Sequence, residues 1–549
     1  MLPSVLKIDP RDNVWVAIKD LKAGQTVELD GHSVTVFQDV PAKHKIATAD
    51  FAIGDQIFMY GVLVGEMKLP AKKGEWLTTF NLKHAASDFQ IGSRKTDWLK
   101  PDVSKFDNRS FEGYHRADGR VGTANYWVVI PMVFCENRNL EVLKEALVEQ
   151  LGYGRTHNYE SQTIRLIDQY KAGKSKEEIL ATELTLTAEN GSKPLFENVD
   201  GVKFLLHDMG CGGTRADAKT LCGLLAGYIT HPNVAGVTVF SLGCQNAEVS
   251  TLQAEILKRS PDFNKPLIIL EQQKIGTEQA LLQEAIKQTF VGLIEANNCQ
   301  RSPAPLSKLC IGLECGGSDG FSGISANPAL GYLSDMLVSM GGSVILAEFP
   351  ELCGAEQNLS DRCTDEPTAQ RFGELMRLYS QRAQEAGSGF ENNPSPGNIK
   401  DGLITDAIKS AGAAKKGGSS PIVSVLDYPE KVTKAGLNLL CTPGNDVEST
   451  TAEVASGANI VLFTTGLGTP TGNPIVPVLK VATNTKLFER MPDIMDINAG
   501  TIIDGQESIQ ENAERMLELV IEIASGRQKA KATLLGQEDF IPWKRGVSL

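Results

Sequence analysis

The chain has 549 residues, more than one hydrophobic core usually supports, so its length predicts two to four domains. Hydrophobic residues make up 42% of it and charged residues 22%, as in ordinary globular proteins. A formal net charge of −13, without a basic stripe that alternates with aromatic residues, argues against nucleic acid as a partner. Ten cysteines without a CxxC pair fit neither a disulfide framework nor a zinc knuckle. The sequence offers no secretory leader and no membrane-spanning run, so we expect a cytoplasmic protein without a membrane partner.

Residues 12–86 are predicted to form a small β-rich domain. Short alternating runs (VWVAI, TVEL, SVTVF and QIFMYGVLVGEM) are separated there by turn-forming GQ, DG and GD pairs. The next stretch, 87–109, loses this periodicity and gains Pro, Ser and Asp, which is typical of a linker.

The rest of the chain is predicted to be α/β, in two domains with mainly parallel sheets. Continuous apolar runs such as VKFLL, VTVFSL, KLCIGL, SVILAEF and NIVLF each lead into a polar loop, usually glycine-rich. Such runs indicate strands buried on both faces, and open α/β sheets bind ligands at the carboxyl ends of their strands. NCQRSPAP interrupts the pattern, so we divide the region into 110–298 and 304–547. GSGFENNPSPGN (387–398) is either a linker or an ordered binding loop.

GLECGGSDGFSG (312–323) contains GGSDG, which matches the GxSxG elbow of serine hydrolases. That elbow needs a histidine later in the chain, and none follows His231. Nucleotide sites are not indicated either. There is no GxxxxGK[ST], and TTGLGTPTGNP runs into prolines where a dinucleotide site needs a helix. We therefore expect no nucleotide cofactor.

Groups suited to metal binding or proton transfer follow successive predicted strands. They are His207, Cys211, Cys244, Glu314, Cys315 and Asp319. Imidazole, thiolate and carboxylate together suit iron, manganese or zinc, whereas a single strand-end cysteine is more often a packing residue. The recurrence after several strands favours a shared site.

Two basic groups have open interpretations. Arg116 and Arg120, with Asn125 nearby, could bind an anionic substrate through bidentate hydrogen bonds, or could belong to a solvated turn. His44, followed by Lys45 within the small β domain, is either functional or part of an exposed basic turn.

Several long motifs occur in an order that resembles the altronate and galactarate dehydratases. They are DNVWVAIKDLKAGQTV, AKHKIA, YGVLVGE, YHRADGRVGTAN, HDMGCGG, HPNVAGVTVFSLGCQN, GLECGGSDGFSGISANPALG, NPSPGN, GLNLLCTPGND, VLFTTGLGTPTG and DFIPWKRGVSL. The likeness covers residues 12–547. Two departures affect substrate contacts: TTFN (78–81) stands where the family often has an HxHN element, and GTAN where it commonly has GTRN.

The resemblance implies an N-terminal SAF-type domain and a hydro-lyase activity on a sugar acid. D-altronate, converted to 2-dehydro-3-deoxy-D-gluconate, is the expected substrate, and galactarate is the alternative. It also implies a divalent metal, iron(II) first and manganese(II) second. The sequence does not determine the oligomeric state, and a homo-oligomer is one possibility.

The resemblance and the residue chemistry together suggest individual roles. His44 would act as an acid or base, with Lys45 near the substrate carboxylate. Glu314 and Asp319 would bind metal or move protons. The metal ligands would be His207 and Cys244, with Cys211 second. Substrate contacts would come from Arg116, Arg120, Asn125, Gly316, Gly317, Ser318, Asn327, Asn398, Asn445 and Asp446.

Two rival interpretations remain. Cys211, Cys244 and Cys315 could hold an iron–sulfur cluster, although clusters often use closely spaced cysteines. A non-catalytic sugar-acid sensor would use the same pockets, but the sequence has no evident output module.

Overall fold

A computed structural model of the chain describes residues 4–87, 89–92, 94–154, 159–184 and 193–548. Residues 88 and 93 of the predicted linker 87–109 lie outside the described residues, as do 155–158 and 185–192 of the predicted second domain.

The N-terminal unit consists of short antiparallel strands, as the alternating sequence pattern predicts. They are β1 (Val5–Leu6), β2 (Val14–Ala17), β3 (Thr26–Leu29), β4 (His32–Thr35), β5 (Lys45–Ala47), β6 (Gln56–Met59), β7 (Val62–Met67), β8 (Trp76–Leu77) and β9 (Leu82–Lys83). The strand orders are β1-β2-β5-β8, β3-β4 and β6-β7-β9. The predicted β-rich N-terminal unit is confirmed.

The next unit contains two sheets. Its strands are β10 (Ser110–His115), β11 (Val121–Gly122), β12 (Tyr126–Pro131), β13 (Gly201–Phe204), β14 (Val234–Ser241), β15 (Leu267–Glu271) and β16 (Arg301–Pro305). Its helices are α1 (Asn137–Leu147), α2 (Glu160–Lys171), α3 (Lys176–Leu180), α4 (Arg215–Thr230), α5 (Val249–Arg259), α6 (Gln272–Ile275) and α7 (Glu278–Ala296). Strands β13-β12-β14-β15 form a parallel sheet, and β11-β10-β16 form an antiparallel one.

The proline-containing segment at 301–305 is a strand and not merely a break. It pairs with β10 in the register Ser110↔Pro305 to Tyr114↔Arg301. Since β16 is an edge strand, Pro303 and Pro305 do not remove hydrogen bonds from a second neighbour.

The last unit is built on a seven-stranded parallel sheet of order β19-β20-β18-β17-β21-β22-β23. The strands are β17 (Cys310–Cys315), β18 (Ser343–Leu346), β19 (Ile422–Leu426), β20 (Gly436–Leu440), β21 (Ile460–Thr465), β22 (Val478–Ala482) and β23 (Ile497–Asn498). Because the strands are parallel and mostly buried on both faces, they read as continuous apolar runs, and the predicted α/β class is confirmed.

Helices of this unit cover its sheet. They are α8 (Ala326–Ser339), α9 (Glu356–Asp361), α10 (Glu366–Glu385), α11 (Pro396–Lys400), α12 (Asp406–Ala413), α13 (Asp446–Ser456), α14 (Thr485–Arg490), α15 (Gly500–Ile503), α16 (Ile509–Ala524) and α17 (Lys531–Leu534). Short 3₁₀ turns lie at Ser104–Phe106, Phe134–Glu136, Leu306–Lys308, Ser322–Ile324, Phe349–Leu352, Phe390–Asn392 and Ala414–Gly417. None of the helices in the described part of the chain has the length and apolar character needed to cross a membrane.

Candidate active site

A buried group of acids and a thiol lies where two central strands end. Glu314 and Cys315 close β17, and Glu348 follows the neighbouring β18 by two residues. The register Leu313↔Leu346 brings the two strand ends together, as parallel pairing requires. Glu351, in the 3₁₀ turn just beyond, completes the group, and all four side chains are buried.

The Cys315 thiol is the centre of this group. Its Sγ lies 2.9 Å from Glu351 Oε2, 3.4 Å from Glu348 Oε2 and 2.9 Å from Lys416 Nζ. Burial, reinforced by the Glu348 and Glu351 carboxylates, raises the pKa of the thiol well above its usual value. In this arrangement the sulfur keeps its proton and can donate to a carboxylate.

Two lysines from α12 and the turn after it balance the acids. Lys409 Nζ is 2.6 Å from Glu351 Oε1, and Lys416 Nζ is 2.8 Å from Glu348 Oε2. Lys409 also donates to Asn393 Oδ1 at 2.9 Å. That contact makes GSGFENNPSPGN an ordered part of the site's wall.

Glu314 carries an unused oxygen inside the protein. Among the described residues, its Oε1 is buried without a hydrogen-bond partner, and the same holds for Glu348 Oε1. Burial, followed by the nearby Glu348 charge, raises the pKa of Glu314 well above its usual value. Glu348 has a left-handed φ of 62°, a strained backbone of the kind that clusters at functional sites.

Asp446 and Lys480 form the other wall. A side chain at Gly316 would place its Cβ 1.9 Å from Asp446 Oδ2, so only glycine fits there. Burial first, then Glu348 and Glu351, raises the pKa of Asp446 to about 7. Burial lowers the pKa of Lys480 to about 7, although Asp446 opposes this shift.

The residues present suit a divalent metal by the type of their donor atoms. Ligand atoms of Cys315, Glu348 and Glu351 all lie within 4.8 Å of one another. Sulfur and carboxylate oxygen together are acceptable to iron(II), manganese(II) or zinc(II).

The N-terminal unit reaches the same region through Lys43. Its Nζ lies 2.9 Å from Asp319 Oδ2 and 3.0 Å from Asp401 Oδ1. Burial works against the lysine charge, but the two carboxylates outweigh it and raise the pKa of Lys43. Asp319 Oδ1 also accepts hydrogen bonds from Ser322 and Thr483, so its carboxylate is held from several sides.

The predicted catalytic residues His44 and Lys45 lie at this contact between units. Trp76 Nε1 donates to His44 Nδ1 at 3.1 Å, and His44 Nε2 donates to the Lys400 carbonyl at 3.0 Å. Lys45 Nζ donates to the carbonyls of Lys43 at 3.0 Å and Gly402 at 2.6 Å. Burial lowers the pKa of His44 below its usual value and that of Lys45 to about 7.

The predicted contacts within the GGSDG segment are mostly occupied by the protein itself. The Gly316 amide donates to the Thr464 carbonyl at 3.1 Å, so its expected role of holding a substrate oxygen is not met. Gly317 has φ 58°, and its carbonyl accepts from the amides of Gly466 and Leu467. Ser318 is buried beside Asp319.

The predicted asparagine contacts are likewise used internally. Asn327 donates to the Gly412 carbonyl and accepts from Thr464 Oγ1. Asn398 donates to the Ser318 carbonyl at 2.7 Å and caps α11. Asn445 is exposed and caps α13, next to Asp446. Asn398 and Asn445 therefore shape loops at the site, whereas Asn327 fastens β21 to α8.

Arg116, Arg120 and Asn125 were predicted as substrate contacts, but they lie toward the opposite end of the last unit's sheet, and the structure does not bring them to the acids. Arg116 donates to Asn125 Oδ1 and to the Pro232 carbonyl, while Arg120 pairs with Asp118. Thr123, in the same segment, donates to the carbonyl of Asn459, which directly precedes β21. Glu314 and Cys315 pair with Phe463 and Thr464 near the other end of that strand, four to five residues or about 15 Å away.

The predicted metal ligands His207, Cys211 and Cys244 are also not brought together as a ligand set. Within the described ranges, the groups of three or more His, Cys, Asp and Glu with ligand atoms this close are Cys315–Glu348–Glu351 and His84–Cys353–Asp406. Both His207 nitrogens are engaged by the backbone: Nε2 donates to Pro131 at 2.8 Å, and Nδ1 accepts from Met209 at 3.1 Å. Cys211 and Cys244 are exposed thiols.

Sequence reasoning missed Glu348, Glu351, Lys409, Lys416 and Lys43. A signal for the two glutamates was present, because EFPEL follows an apolar strand just as ECGGSD does. The lysines gave no comparable signal. Lys409 lies on α12, Lys416 lies in the 3₁₀ turn after that helix, and Lys43 lies in a turn.

Family models match the chain in three consecutive parts. The altronate/galactarate dehydratase SAF domain covers residues 3–85, the D-galactarate dehydratase/altronate hydrolase second domain covers 113–297, and the D-galactarate/altronate dehydratase C-terminal model covers 306–548. The chain is 34% identical to altronate dehydratase of Bacillus subtilis (strain 168) over 96% of both chains, and 33% identical to altronate dehydratase of Escherichia coli (strain K12) over 99% of both. It is 32% identical to galactarate dehydratase (L-threo-forming) of Escherichia coli (strain K12) over 95% of this chain and 93% of the relative.

Buried acids, amines and a thiol at the carboxyl edge of a parallel sheet indicate an enzyme that works by proton transfer. With the full-length matches, its class is hydro-lyase, of the sugar-acid dehydratase type. The chain belongs to the altronate/galactarate dehydratase family.

Proposed function

We propose that this protein removes water from D-altronate to give 2-dehydro-3-deoxy-D-gluconate, with iron(II) or manganese(II) held by Cys315, Glu348 and Glu351. The observation that carries the proposal is that these three side chains lie together in the protein interior, in contact with Lys409 and Lys416. The substrate assignment is supported by the two altronate dehydratases that match nearly the whole chain.

The reaction makes two demands on the protein. The C2 proton must leave although the adjacent carboxylate is already negative, and the C3–O bond must break. The electron pair of the C2–H bond forms the C2–C3 double bond, and the leaving oxygen takes a proton to become water. The resulting enol then gains a proton at C3 and loses its hydroxyl proton to give the 2-oxo acid. Charge on the carboxylate in the transition state needs nearby cations.

The residues of the cluster can meet these demands. Asp446, with a pKa raised to about 7, can accept the C2 proton near neutral pH. Glu314 can deliver a proton to the leaving oxygen through its buried oxygen, which has no partner among the described residues. The ammonium groups of Lys409 and Lys416 stabilise negative charge on the substrate. A bound divalent metal would add a Lewis acid for the substrate's carboxylate and hydroxyl oxygens.

The direct test is a substrate and metal panel. Purified protein, prepared without oxygen, is incubated with D-altronate, galactarate or D-sulfolactate, and with iron(II), manganese(II) or no metal. We expect 2-oxo acid to form fastest from D-altronate with iron(II) or manganese(II). Preference for galactarate would replace the proposed substrate within the same family, and no product from any acid would contradict the proposed reaction. Equal rates without metal would contradict the metal requirement alone.

A matched pair of variants tests the role of Glu314. Glu314→Gln should lower kcat for D-altronate about 100-fold or more, the usual range for a proton-transfer group. Glu136→Gln is the control, because Glu136 is also fully buried, and its Oε1 also lacks a partner among the described residues, but it lies in the second unit. Comparable kcat in both variants would contradict the assignment.

A further inference from the structure

A second group of potential ligands lies outside the proposed reaction site. It consists of His84, just after β9, Cys353, just after the 3₁₀ turn Phe349–Leu352, and Asp406, the first residue of α12. One ligand atom from each lies within 4.8 Å of the others. The N-terminal unit supplies the imidazole, and the last unit supplies the thiol and the carboxyl group.

Close packing of the backbone holds these three segments together. Gly354, at φ 92°, has no side chain, and a Cβ there would lie 3.2 Å from Ala407 Cβ and 3.5 Å from Ala86 Cβ. The Ala407 amide donates to His84 Nδ1 at 3.3 Å. His84, Cys353 and Asp406 are neighbours of these contacts, so their proximity follows from the packing.

Asp406 supplies an independent indication of a ligand. The residue is 1% exposed, and its buried Oδ2 has no hydrogen-bond partner among the described residues. Its carboxyl group receives a long contact of 3.4 Å from Ser410 Oγ at the other oxygen, and it is also hydrogen-bonded by the Cys353 side chain. An ionised carboxylate that is buried with one oxygen unpaired is costly, and a cation would offset that cost.

We propose that His84, Cys353 and Asp406 bind a thiophilic divalent cation of the zinc(II) class. Nitrogen, sulfur and oxygen ligands suit zinc, whereas magnesium and calcium take oxygen ligands almost alone. His84 Nδ1 accepts a hydrogen bond, so it carries the lone pair that a ligand needs. The cation would replace that long bond, and the thiol would release its proton on binding.

The cation would link the N-terminal unit to the candidate active site, although the cation itself would lie outside that site. Cys353 lies two residues after Glu351, and Asp406 lies three residues before Lys409 on the same helix. Glu351 and Lys409 form the 2.6 Å ion pair of the candidate active site. A cation bound to Cys353 and Asp406 would hold the neighbouring Glu351 and Lys409 in place. Its three ligands are all different from the Cys315–Glu348–Glu351 group.

Cobalt(II) titration tests the proposal, because a cobalt–thiolate bond adds near-ultraviolet absorption. The protein is freed of metal with a chelator, and cobalt(II) is added to the wild type and to variants while absorption and bound cobalt are measured. We expect Cys353→Ser to lose one bound cobalt per chain together with a thiolate band. His84→Ala and Asp406→Asn should weaken binding at this site at least about 10-fold. Cys315→Ser should lose only the absorption that comes from cobalt at the candidate active site and keep the part that Cys353→Ser loses, and Cys244→Ser should keep the whole band.

Several outcomes would overturn the proposal. One is a Cys353→Ser spectrum and cobalt count equal to those of the wild type. Another is loss of the whole band in Cys315→Ser alone or in Cys244→Ser alone, which would leave no thiolate contribution from Cys353. Should Cys353→Ser fail to fold, cobalt binding by His84→Ala decides the question, because the His84 side chain is only half-buried. Zinc(II) should raise the wild-type unfolding temperature by more than that of His84→Ala; equal increases would oppose the site.

Discussion

Lys45 is 1% exposed, and its amine donates hydrogen bonds to two backbone carbonyls. Burial lowers its pKa to about 7, against the attraction of Asp319. In the unfolded chain a lysine stays charged up to a pH of about 10.4. Between these two values the unfolded state binds more protons than the folded state. The free energy of unfolding therefore rises with pH, by at most about 1.4 kcal/mol per pH unit from this residue.

Replacing Lys45 by methionine should remove this pH dependence. Lys45→Met also leaves the carbonyls of Lys43 and Gly402 without their donor, a cost that does not vary with pH. The free energy of unfolding is measured in urea at pH 7, 8 and 9. The value for the wild type should increase relative to that of Lys45→Met as the pH rises. Lys19→Met, at an exposed lysine of the same unit, serves as the control for the change of side chain. Parallel stability curves for wild type and Lys45→Met would contradict the lowered pKa.

Individual residues also mark the limit of sequence reasoning about the site. Glu314 and Cys315 were identified because they follow an apolar strand within an unusual glycine-rich loop, and strand ends carry the groups that meet ligands. Arg116 and Arg120 were misplaced because a sequence does not tell which edge of a sheet a preceding loop contacts. Lys409 was missed because a buried lysine on a helix looks like a solvated one until its partner, Glu351, is known.

Helix α4 depends on glycine at one position and not at another. A Cβ at Gly227 would lie 2.5 Å from the Ala455 carbonyl oxygen and 2.8 Å from Ala455 Cβ, both on α13. A Cβ at Gly223 would meet its neighbours at 3.6 Å or more, which is ordinary contact. The two glycines thus separate the cost of crowding from the intrinsic preference of helices for alanine.

Alanine at these positions should have opposite effects. Gly223→Ala should raise the free energy of unfolding by up to about 1 kcal/mol, from helix propensity alone. Gly227→Ala should lower it by about 1 to 3 kcal/mol, because α4 and α13 must move apart. Since α13 begins at Asp446, Gly227→Ala should also reduce kcat. Urea unfolding and dehydration assays check both; equal stability of the two variants would contradict the close approach.

At the level of elements, the sequence predicts strand type better than strand partners. Continuous apolar runs identified parallel strands such as β17 and β21, because burial on both faces requires apolar residues throughout. Strand β16 escaped prediction, since its two prolines indicate a break unless the strand lies at an edge. Its pairing with β10 joins segments almost two hundred residues apart, which local periodicity does not encode.

At the scale of the molecule, the hydrophobic cores cross the boundaries between units. One core packs Val14 and Ile57 of the N-terminal unit with Phe321 and Ile408 of the last unit. Another packs second-unit residues such as Tyr228 with residues of the last unit such as Val454 and Phe463. Since neither core is complete within one unit, we expect the three units to unfold together.

Pulsed hydrogen exchange in increasing urea, read by mass spectrometry, tests this cooperativity without added labels. Peptides that contain β2, β12 and β21 should lose protection at the same urea concentration. Ile408→Ala, at a residue that is 1% exposed in the shared core, should cost about 2 to 5 kcal/mol and shift all three midpoints equally. If only the β2 peptide shifted, the N-terminal unit would be an independent folding unit, and its contacts through Lys43 and Lys45 could open without disturbing the rest. A common shift means instead that the approach of Lys43 to Asp319 is a property of the whole native state.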